Sequence, residues 1–565
     1  MPLPRLILAC LALLAATLAT AVAPAAVAAA AAAAAAEPTG RLLVTLDTPQ
    51  SGLAAHTTAA LLARAELRRD GAQAPRIGMV GVRPAAGLAL GALAATLRRL
   101  PGVRAVDVEH RASLRFTPND PAITEPETAS GTPAGTPVAW WVPRIGLPAA
   151  WDVARGDGAT VAVIDTGADG GHPDLSGKIA EAIDNDAING HGPATSDENG
   201  HGTHVASLAC AAGDNAVGSV GSGLNCKLLI FKSDLSDGSI AASIVQATDK
   251  GADAINMSFG SDDPAAPQPI RAAIEYANSK GVVLVAAADD TPAEEQGYPS
   301  NLLQPTGTGG DLAAGSGLTV TAANFAGQRA SFAGRGSQIS LAAPGAFEAG
   351  GPPGIFSNFP GNPTELEAGG SLLIPGRDCR CRRTFGGDSR YAYLQGTSMA
   401  APIVAGVAAM ARRLNPDATV ADIRRALKES ATRPAGSGWN PELGWGIVDA
   451  AAALNAVRAI DRRAPESKLT GRTRVRKARS VTLKLTGADN APTGLQPSGV
   501  DVYEVFRSVN RGAYRRIKRT RKASYKLKVK PGSLYRFYTV AIDKAGNREA
   551  QPARPDLSMR VDRRR

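Results

Sequence analysis

The sequence predicts an α/β fold: a parallel sheet with helices on both faces, preceded by a small α+β module and followed by a small β-sandwich. Three observations carry this expectation. Short apolar strands alternate with helical segments between residues 160 and 342, the pattern of β-α-β units building a parallel sheet. Asp165 ends the first of these strands, at the carboxyl edge where open α/β sheets place their sites. A run with almost no charge, 394–414, then supplies a helix that can be packed on all sides.

Taken in order, residues 1–36 open with Arg5 and an apolar run over 6–22, then Ala21-Val22-Ala23 and an Ala-rich stretch. That is the pattern of a secretory signal, so the chain is expected outside the cell; a retained membrane anchor is the alternative. Residues 41–115 read as strand 42–46, helix 56–69, strand 78–82, helix 88–100 and strand 103–108, a ferredoxin-like split βαβ module. Residues 116–139, rich in Pro, Thr, Gly and Ala, read as an exposed linker. The main domain spans 140–460. Its strands fall at 160–164, 228–232, 254–258, 282–287, 318–322 and 339–342, with helices at 239–250 and 270–280. Residues 345–393 break the rhythm with Gly and Pro and read as a surface insertion. In 465–565, short alternating strands such as 481–485, 525–530 and 535–542 argue a β-sandwich.

Charge separates the modules. Residues 461–565 hold 28 Lys and Arg against 9 Asp and Glu, a net of +19. Residues 116–460 carry a net of −14, and 41–115 a net of +6. So basic a tail is expected to meet anionic surfaces such as cell-wall polymers, giving cell-surface association. Its aromatics follow strand-core spacing and form no stacking platform, which argues against nucleic acid. Of five cysteines, Cys10 leaves with the signal. Cys210 and Cys226 would close a short loop, a bridge worth on the order of 3 kcal/mol. Cys379 and Cys381 lie too close in sequence for an easy mutual bridge.

Gly396-Thr397-Ser398 reads as a turn entering the uncharged helix, with Pro402 in its first turn. A serine there sits among unpaired N–H groups that can hold an oxyanion; the plainer alternative is an N-cap. A nucleophile needs a base and a group that orients the base. Among six histidines, His201 in Asn199-Gly200-His201-Gly202-Thr203-His204 reads as that base, and His204 as its structural neighbour. Asp165 reads as the orienting carboxylate or as an Asx-turn ending its strand.

The motifs VAVIDTG at Asp165, HGTHVA at His201 and GTSMAAP at Ser398 occur in the order Asp, His, Ser. Through them the chain resembles the subtilisin-like serine proteases over roughly residues 140–460. The resemblance implies a parallel sheet of about seven strands and endopeptidase activity on protein or peptide substrates by acyl transfer. It implies that 41–115 is an inhibitory propeptide acting on its own protease in an autoprocessed zymogen, and that the tail is similar to immunoglobulin or fibronectin type III modules. It places substrate binding at Ser258-Phe259-Gly260. It also implies a structural calcium held by Asp174 and Asn215 with carbonyls of Gly213, Val217 and Ser219. The family's oxyanion asparagine is replaced here by Asp290, and the glycine before it by Asp289. A second reading follows from that departure: a weak or inactive pseudo-protease serving as a binding module.

Overall fold

The computed structural model describes residues 37–46, 68–83, 90–100, 102–111 and 116–563, except 188–190, 349, 370–378, 434–435, 437, 477, 491–494 and 496. The chain forms two units, one ending at Arg115 and the other beginning at Phe116. The signal stretch 1–36 and residues 56–67 of the expected helix lie outside the described residues. Among the described residues no helix is long and apolar enough to cross a membrane.

The first unit contains β1 (Glu37–Leu46), β2 (Arg68–Ala74), β3 (Met79–Arg83), α1 (Leu90–Leu97) and β4 (Val103–Arg111). Its sheet is antiparallel in the order β2-β3-β1-β4, as a ferredoxin-like module requires. Alternate residues Leu42, Val44 and Leu46 meet Val80, Val82 and Val106, and α1 closes the core with Leu93 and Leu97. Strand β2 departs from the sequence expectation. Arg68 and Arg69, expected to end a helix, begin an edge strand instead. The strand carries too few apolar residues for alternation to reveal it.

The second unit is built on β5 (Thr160–Asp165), β6 (Ile179–Asn185), α2 (His201–Cys210), β7 (Lys227–Ser233), α3 (Asp237–Asp249), β8 (Ala254–Met257), α4 (Gln268–Ser279), β9 (Val283–Ala287), β10 (Leu318–Ala323) and β11 (Leu341–Pro344). Seven strands pair in parallel in the order β11-β10-β9-β8-β5-β7-β6. Chain order departs in both directions from β5, which makes its carboxyl end a topological switch point. Strand side chains alternate between two cores. Val161, Val163, Leu228 and Ile230 face α2 and the Ser398 helix, whereas Ala162, Ile164, Leu229 and Phe231 face α3 and α4. Burial on both faces explains why these strands read as continuous apolar runs.

Residues 345–393 are not a plain surface insertion. They contain β12 (Ile355–Asn358), β13 (Arg382–Phe385) and β14 (Asp388–Leu394), an antiparallel sheet in the order β12-β14-β13. Phe356 and Tyr391 stack within it and are buried. Glycine and proline mark its turns and hid its strands. Cys379 and Cys381, expected to stay apart, are bonded, their Cα atoms 5.0 Å apart and so within disulfide reach. Cys210 and Cys226 are bonded as expected, with Cα atoms 5.5 Å apart.

The helix carrying Ser398, α5 (Thr397–Leu414), is buried from Met399 to Ala411. Gly406 lets α2 approach: a Cβ there would lie 2.7 Å from the Ala209 carbonyl oxygen and 2.8 Å from the Gly223 nitrogen. Pro402, expected in the first turn, falls in the second, because the helix begins at Thr397. Helices α6 (Val420–Ser430) and α7 (Ala450–Arg458) complete this side.

Residues 116–139 form an arm packed at its two ends, whereas residues 124–135 between them are mostly exposed, as expected of a linker. Asp120, Ala122, Val138 and Ala139 are buried, and Ala122 N–H donates to the Gly218 carbonyl at 3.0 Å. Its small residues suit close packing as well as they suit solvent. The tail forms β15 (Glu466–Thr470), β16 (Arg474–Val475), β17 (Ser480–Ala488), β18 (Val500–Val509), β19 (Arg515–Thr520), β20 (Ser524–Lys528), β21 (Leu534–Asp543) and β22 (Leu557–Val561). Sheets β15-β17-β20 and β16-β22-β21-β18-β19 close on Leu469, Leu483, Val505 and Phe537, the sandwich expected.

Candidate active site

Three elements bring Asp165, His201 and Ser398 to the carboxyl edge of the sheet. Asp165 ends β5 and is 2% exposed. Its Oδ1 accepts from Thr166 N–H at 2.8 Å and from His201 Nδ1 at 2.8 Å. Helix α2 begins at His201, so the imidazole leaves its first turn. Gly202 permits this approach, since a Cβ there would lie 2.1 Å from the Gly167 carbonyl oxygen. The turn is locked from below by Asp197, which the sequence reading passed over. Its buried carboxylate accepts from Gly200 N–H, Thr203 N–H and the hydroxyls of Thr203 and Thr166. An Asp shortly before a helix start is a capping signal that could have pointed to it. Burial pushes its carboxyl up to about 6, against those hydrogen bonds.

Burial by itself depresses the His201 pKa, but the charge and hydrogen bond of Asp165 outweigh it, so the imidazole lies above its ordinary value. His204 is different. It is fully buried, has no acidic partner among the described residues and is lowered to about 3, chiefly by desolvation. As a neutral ring it bonds through Nε2 to the Ile355 carbonyl, which makes it structural as expected.

Ser398 is tied to the end of β8 by two reciprocal bonds. Its hydroxyl donates to the Ser258 carbonyl at 3.0 Å, and the Ser258 hydroxyl donates to the Ser398 carbonyl at 2.9 Å. Pro402 explains the second bond. Four residues after Ser398, it has no N–H to give the Ser398 carbonyl, which is left free for Ser258. Asn256 Nδ2 donates to the Ser258 hydroxyl at 2.9 Å and fixes its direction. In this state the Ser398 hydroxyl faces Ser258, and it must rotate to engage His201. Both residues line one cleft of about 460 Å³, with Ser258, Phe259 and Gly260 along one wall. A Cβ on Gly260 would meet only the Tyr298 carbonyl oxygen, at 3.9 Å, so this edge is open to an incoming strand.

Asp290 lies at the N-terminus of α5. Its Oδ1 accepts from Thr397 N–H at 2.8 Å, and the Thr397 hydroxyl is 2.9 Å away. Its Oδ2 lies on the Gly396 side, 2.9 Å from where a Cβ on that glycine would stand. The residue is exposed to the cleft while protein crowds its other sides. That crowding raises its carboxyl pKa; the Thr397 bonds and His201 oppose the shift, and Asp289 adds to it.

Asp174 and Asn215 lie together, with Asn215 Nδ2 donating to Asp174 Oδ1 at 3.1 Å, while the Asn215 Oδ1 that a cation would need accepts from Val217 N–H at 2.9 Å. Asp174 Oδ2 also accepts from Ser219 N–H, in the loop that holds Gly213 and Val217. The sequence reading missed Asp120, whose Oδ2 accepts from Asp214 N–H at 2.8 Å. Both aspartates are fully buried, and no basic side chain pairs with either among the described residues. Burial pushes Asp174 up to about 7 and also raises Asp120. Two buried carboxylates without a counter-charge are costly, and a hard cation would relieve them. The residues therefore fit a calcium ion.

The profile of the subtilase family matches residues 156–446. Thermitase from Thermoactinomyces vulgaris is 30% identical over 331 residues, which are 57% of this chain and 94% of thermitase. An alkaline protease from Alkalihalobacillus alcalophilus is 33% identical over 341 residues, 59% of this chain and 74% of that protein. The solved structure of fervidolysin from Fervidobacterium pennivorans, described as a keratinolytic enzyme related to subtilisin, is 23% identical with a TM-score of 0.46. The match covers 90% of this chain and 72% of that one.

Because Asp165 holds the His201 pKa up, Asp165→Asn is expected to lower it. An NMR titration of the His201 ring checks this. An unchanged midpoint would show that Asp165 does not control the imidazole.

Proposed function

The chain belongs to the subtilase family and is a serine endopeptidase, and we propose that Asp165, His201 and Ser398 are its catalytic residues. The observation that carries this reading is the Asp165–His201 hydrogen bond at the mouth of the cleft into which Ser398 opens. A peptide strand pairs along Ser258-Phe259-Gly260. The Ser398 hydroxyl turns from the Ser258 carbonyl to His201 Nε2 and attacks the scissile carbonyl carbon as His201 takes its proton. Asp165 fixes the imidazole with its proton on Nδ1 and stabilises the imidazolium. His201 then protonates the departing amine, and water hydrolyses the acyl-enzyme by the reverse sequence. The Ser398 N–H, at the start of α5, supplies one donor to the oxyanion.

The protein is made as an exported precursor in this reading. Residues 1–36 direct secretion, and 41–115 form an inhibitory propeptide removed by the protease itself. Its positive charge suits the acidic catalytic unit. Asp120, Asp174 and Asn215, with carbonyls of the 213–219 loop, would hold a calcium ion, which would supply structural charge compensation between the arm and that loop. Exposed Arg515, Lys518, Arg519, Lys526 and Lys528 on β19 and β20 give the tail a basic surface for anionic cell-wall polymer.

Ser398→Ala is expected to cut peptide hydrolysis by about 10⁶ and to leave a precursor that retains residues 41–115. Mass spectrometry of the protein secreted from a protease-free host checks both. Normal processing of this variant would sink the autoprocessing reading.

Removing calcium with a chelator is expected to lower Tm, since a ligand at a hundred times its Kd adds about 2.7 kcal/mol. Asp174→Asn should lower Tm without the chelator and blunt its effect. Equal chelator responses in the two proteins would move the cation elsewhere.

Asp290 sets the pH profile. His201 acts as base only when neutral, so activity rises with pH through its raised pKa. Asp290 Oδ2 donates to the oxyanion only when protonated, so activity falls as pH rises through that raised pKa. Asp290→Asn is expected to remove the alkaline limb and raise kcat, by at most the roughly 10² to 10³ that one oxyanion donor supplies. An unchanged profile would show that another donor fills the hole. Absence of hydrolysis by both proteins would favour the binding-module reading.

A further inference from the structure

The cleft beside Ser398 has two chemically distinct ends. Leu235, Ile240, Phe259 and Tyr298 belong to one hydrophobic cluster and give it an apolar end. The other end is formed where β9 runs out into Ala288, Asp289 and Asp290. This end adjoins the nucleophile, since Asp290 bonds the residue before Ser398. Among the described residues no lysine or arginine lines the cleft, a third carboxylate, Asp262, lines it as well, and no described basic side chain forms an ion pair with Asp289 or Asp290.

The two aspartates are held differently. Asp290 is taken up at the helix terminus. Asp289 is fixed by its backbone: its N–H donates to Gln296 Oε1 at 2.8 Å, and its carbonyl accepts from Gly334 N–H at 2.7 Å. Its Oδ1 accepts from Thr291 N–H at 3.0 Å. This leaves Oδ2 for a ligand. The Thr291 bond orients the carboxylate on this anchored main chain. An ammonium or guanidinium entering here meets a pre-positioned anion in a partly desolvated groove, whereas a carboxylate side chain meets repulsion.

We propose that Asp289 makes this protease selective for a lysine or arginine on the acyl side of the scissile bond, with an apolar side chain farther along the substrate in the Leu235–Phe259 end. The proposal rests on the protease reading and names its substrate class. Asp289 is a specificity residue in it and takes no part in the bond-breaking steps.

The test uses the full-length secreted protein and a set of peptides identical except for Arg, Lys, Phe, Leu or Glu before the scissile bond. The expected result is a kcat/KM for Arg and Lys at least roughly tenfold above Phe and Leu, with Glu lowest. Asp289→Asn should collapse the Arg-to-Phe ratio towards unity, and Asp289→Glu should restore part of it. The ratio is the readout because removing the Asp289 charge also alters Asp290, which affects every peptide alike. Equal cleavage of Phe and Arg peptides, or an unchanged ratio in Asp289→Asn, overturns the proposal. Benzamidine binding to the secreted wild-type protein, from which residues 41–115 are expected to have been removed, is measured by calorimetry and separates it from the protease reading. If no peptide is cut yet benzamidine binds, and Asp289→Asn removes the binding, the cation-selective cleft stands and the protease reading fails. If benzamidine does not bind either, both fall.

Discussion

The site depends on one tie, the pair of hydrogen bonds between Ser258 and Ser398. It joins the carboxyl end of a central strand to the first turn of a helix buried from Met399 to Ala411. A proline makes it possible. Pro402 cannot donate to the Ser398 carbonyl, so that carbonyl is free to accept from outside the helix. Ser258 fills the vacancy, and Asn256 holds Ser258. Strand edge, Ser398 and helix terminus are thus tied into one assembly, although Ser258 and Ser398 are 140 residues apart in sequence.

Small residues serve the same end on the other side. Gly406 allows α5 and α2 to pack backbone to backbone, and Gly202 allows α2 to meet the turn after Asp165. The many alanines of α5 bury little area each but allow close approach, so the helix can be enclosed by the sheet, α2 and α7. The low aromatic content, 4% of the chain, agrees with a core assembled by proximity.

Acidic residues near the site are confined in four settings, each with a different outcome; in the first, Asp197 is buried among N–H and hydroxyl donors and locks the turn before α2. Asp165 is buried beside an imidazole and holds its proton. Asp120 and Asp174 are buried without a counter-charge and fit a cation. Asp289 and Asp290 stand in a cleft wall, and Asp290 bonds Thr397, next to Ser398. Burial, partner and geometry together decide which role a carboxylate takes.

The sequence alone was enough for the parallel α/β architecture, the sandwich, the Cys210–Cys226 bridge and the residues that meet at the sheet edge. Those features rest on local patterns: apolar runs, alternation and turn-to-helix boundaries. Tertiary structure decided the rest. Asp120 joins Asp174 only because residues 116–139 fold back as an arm packed at its two ends, and nothing in their composition distinguishes that from a linker. The Cys379–Cys381 bond and the sheet within 345–393 depend on a backbone path that glycine and proline leave open. Pro402 reads locally as a helix-start residue; its effect on Ser398 exists only because Ser258 arrives from another strand. Local chemistry sets what each segment can form, and long-range contact sets which unsatisfied group meets which partner.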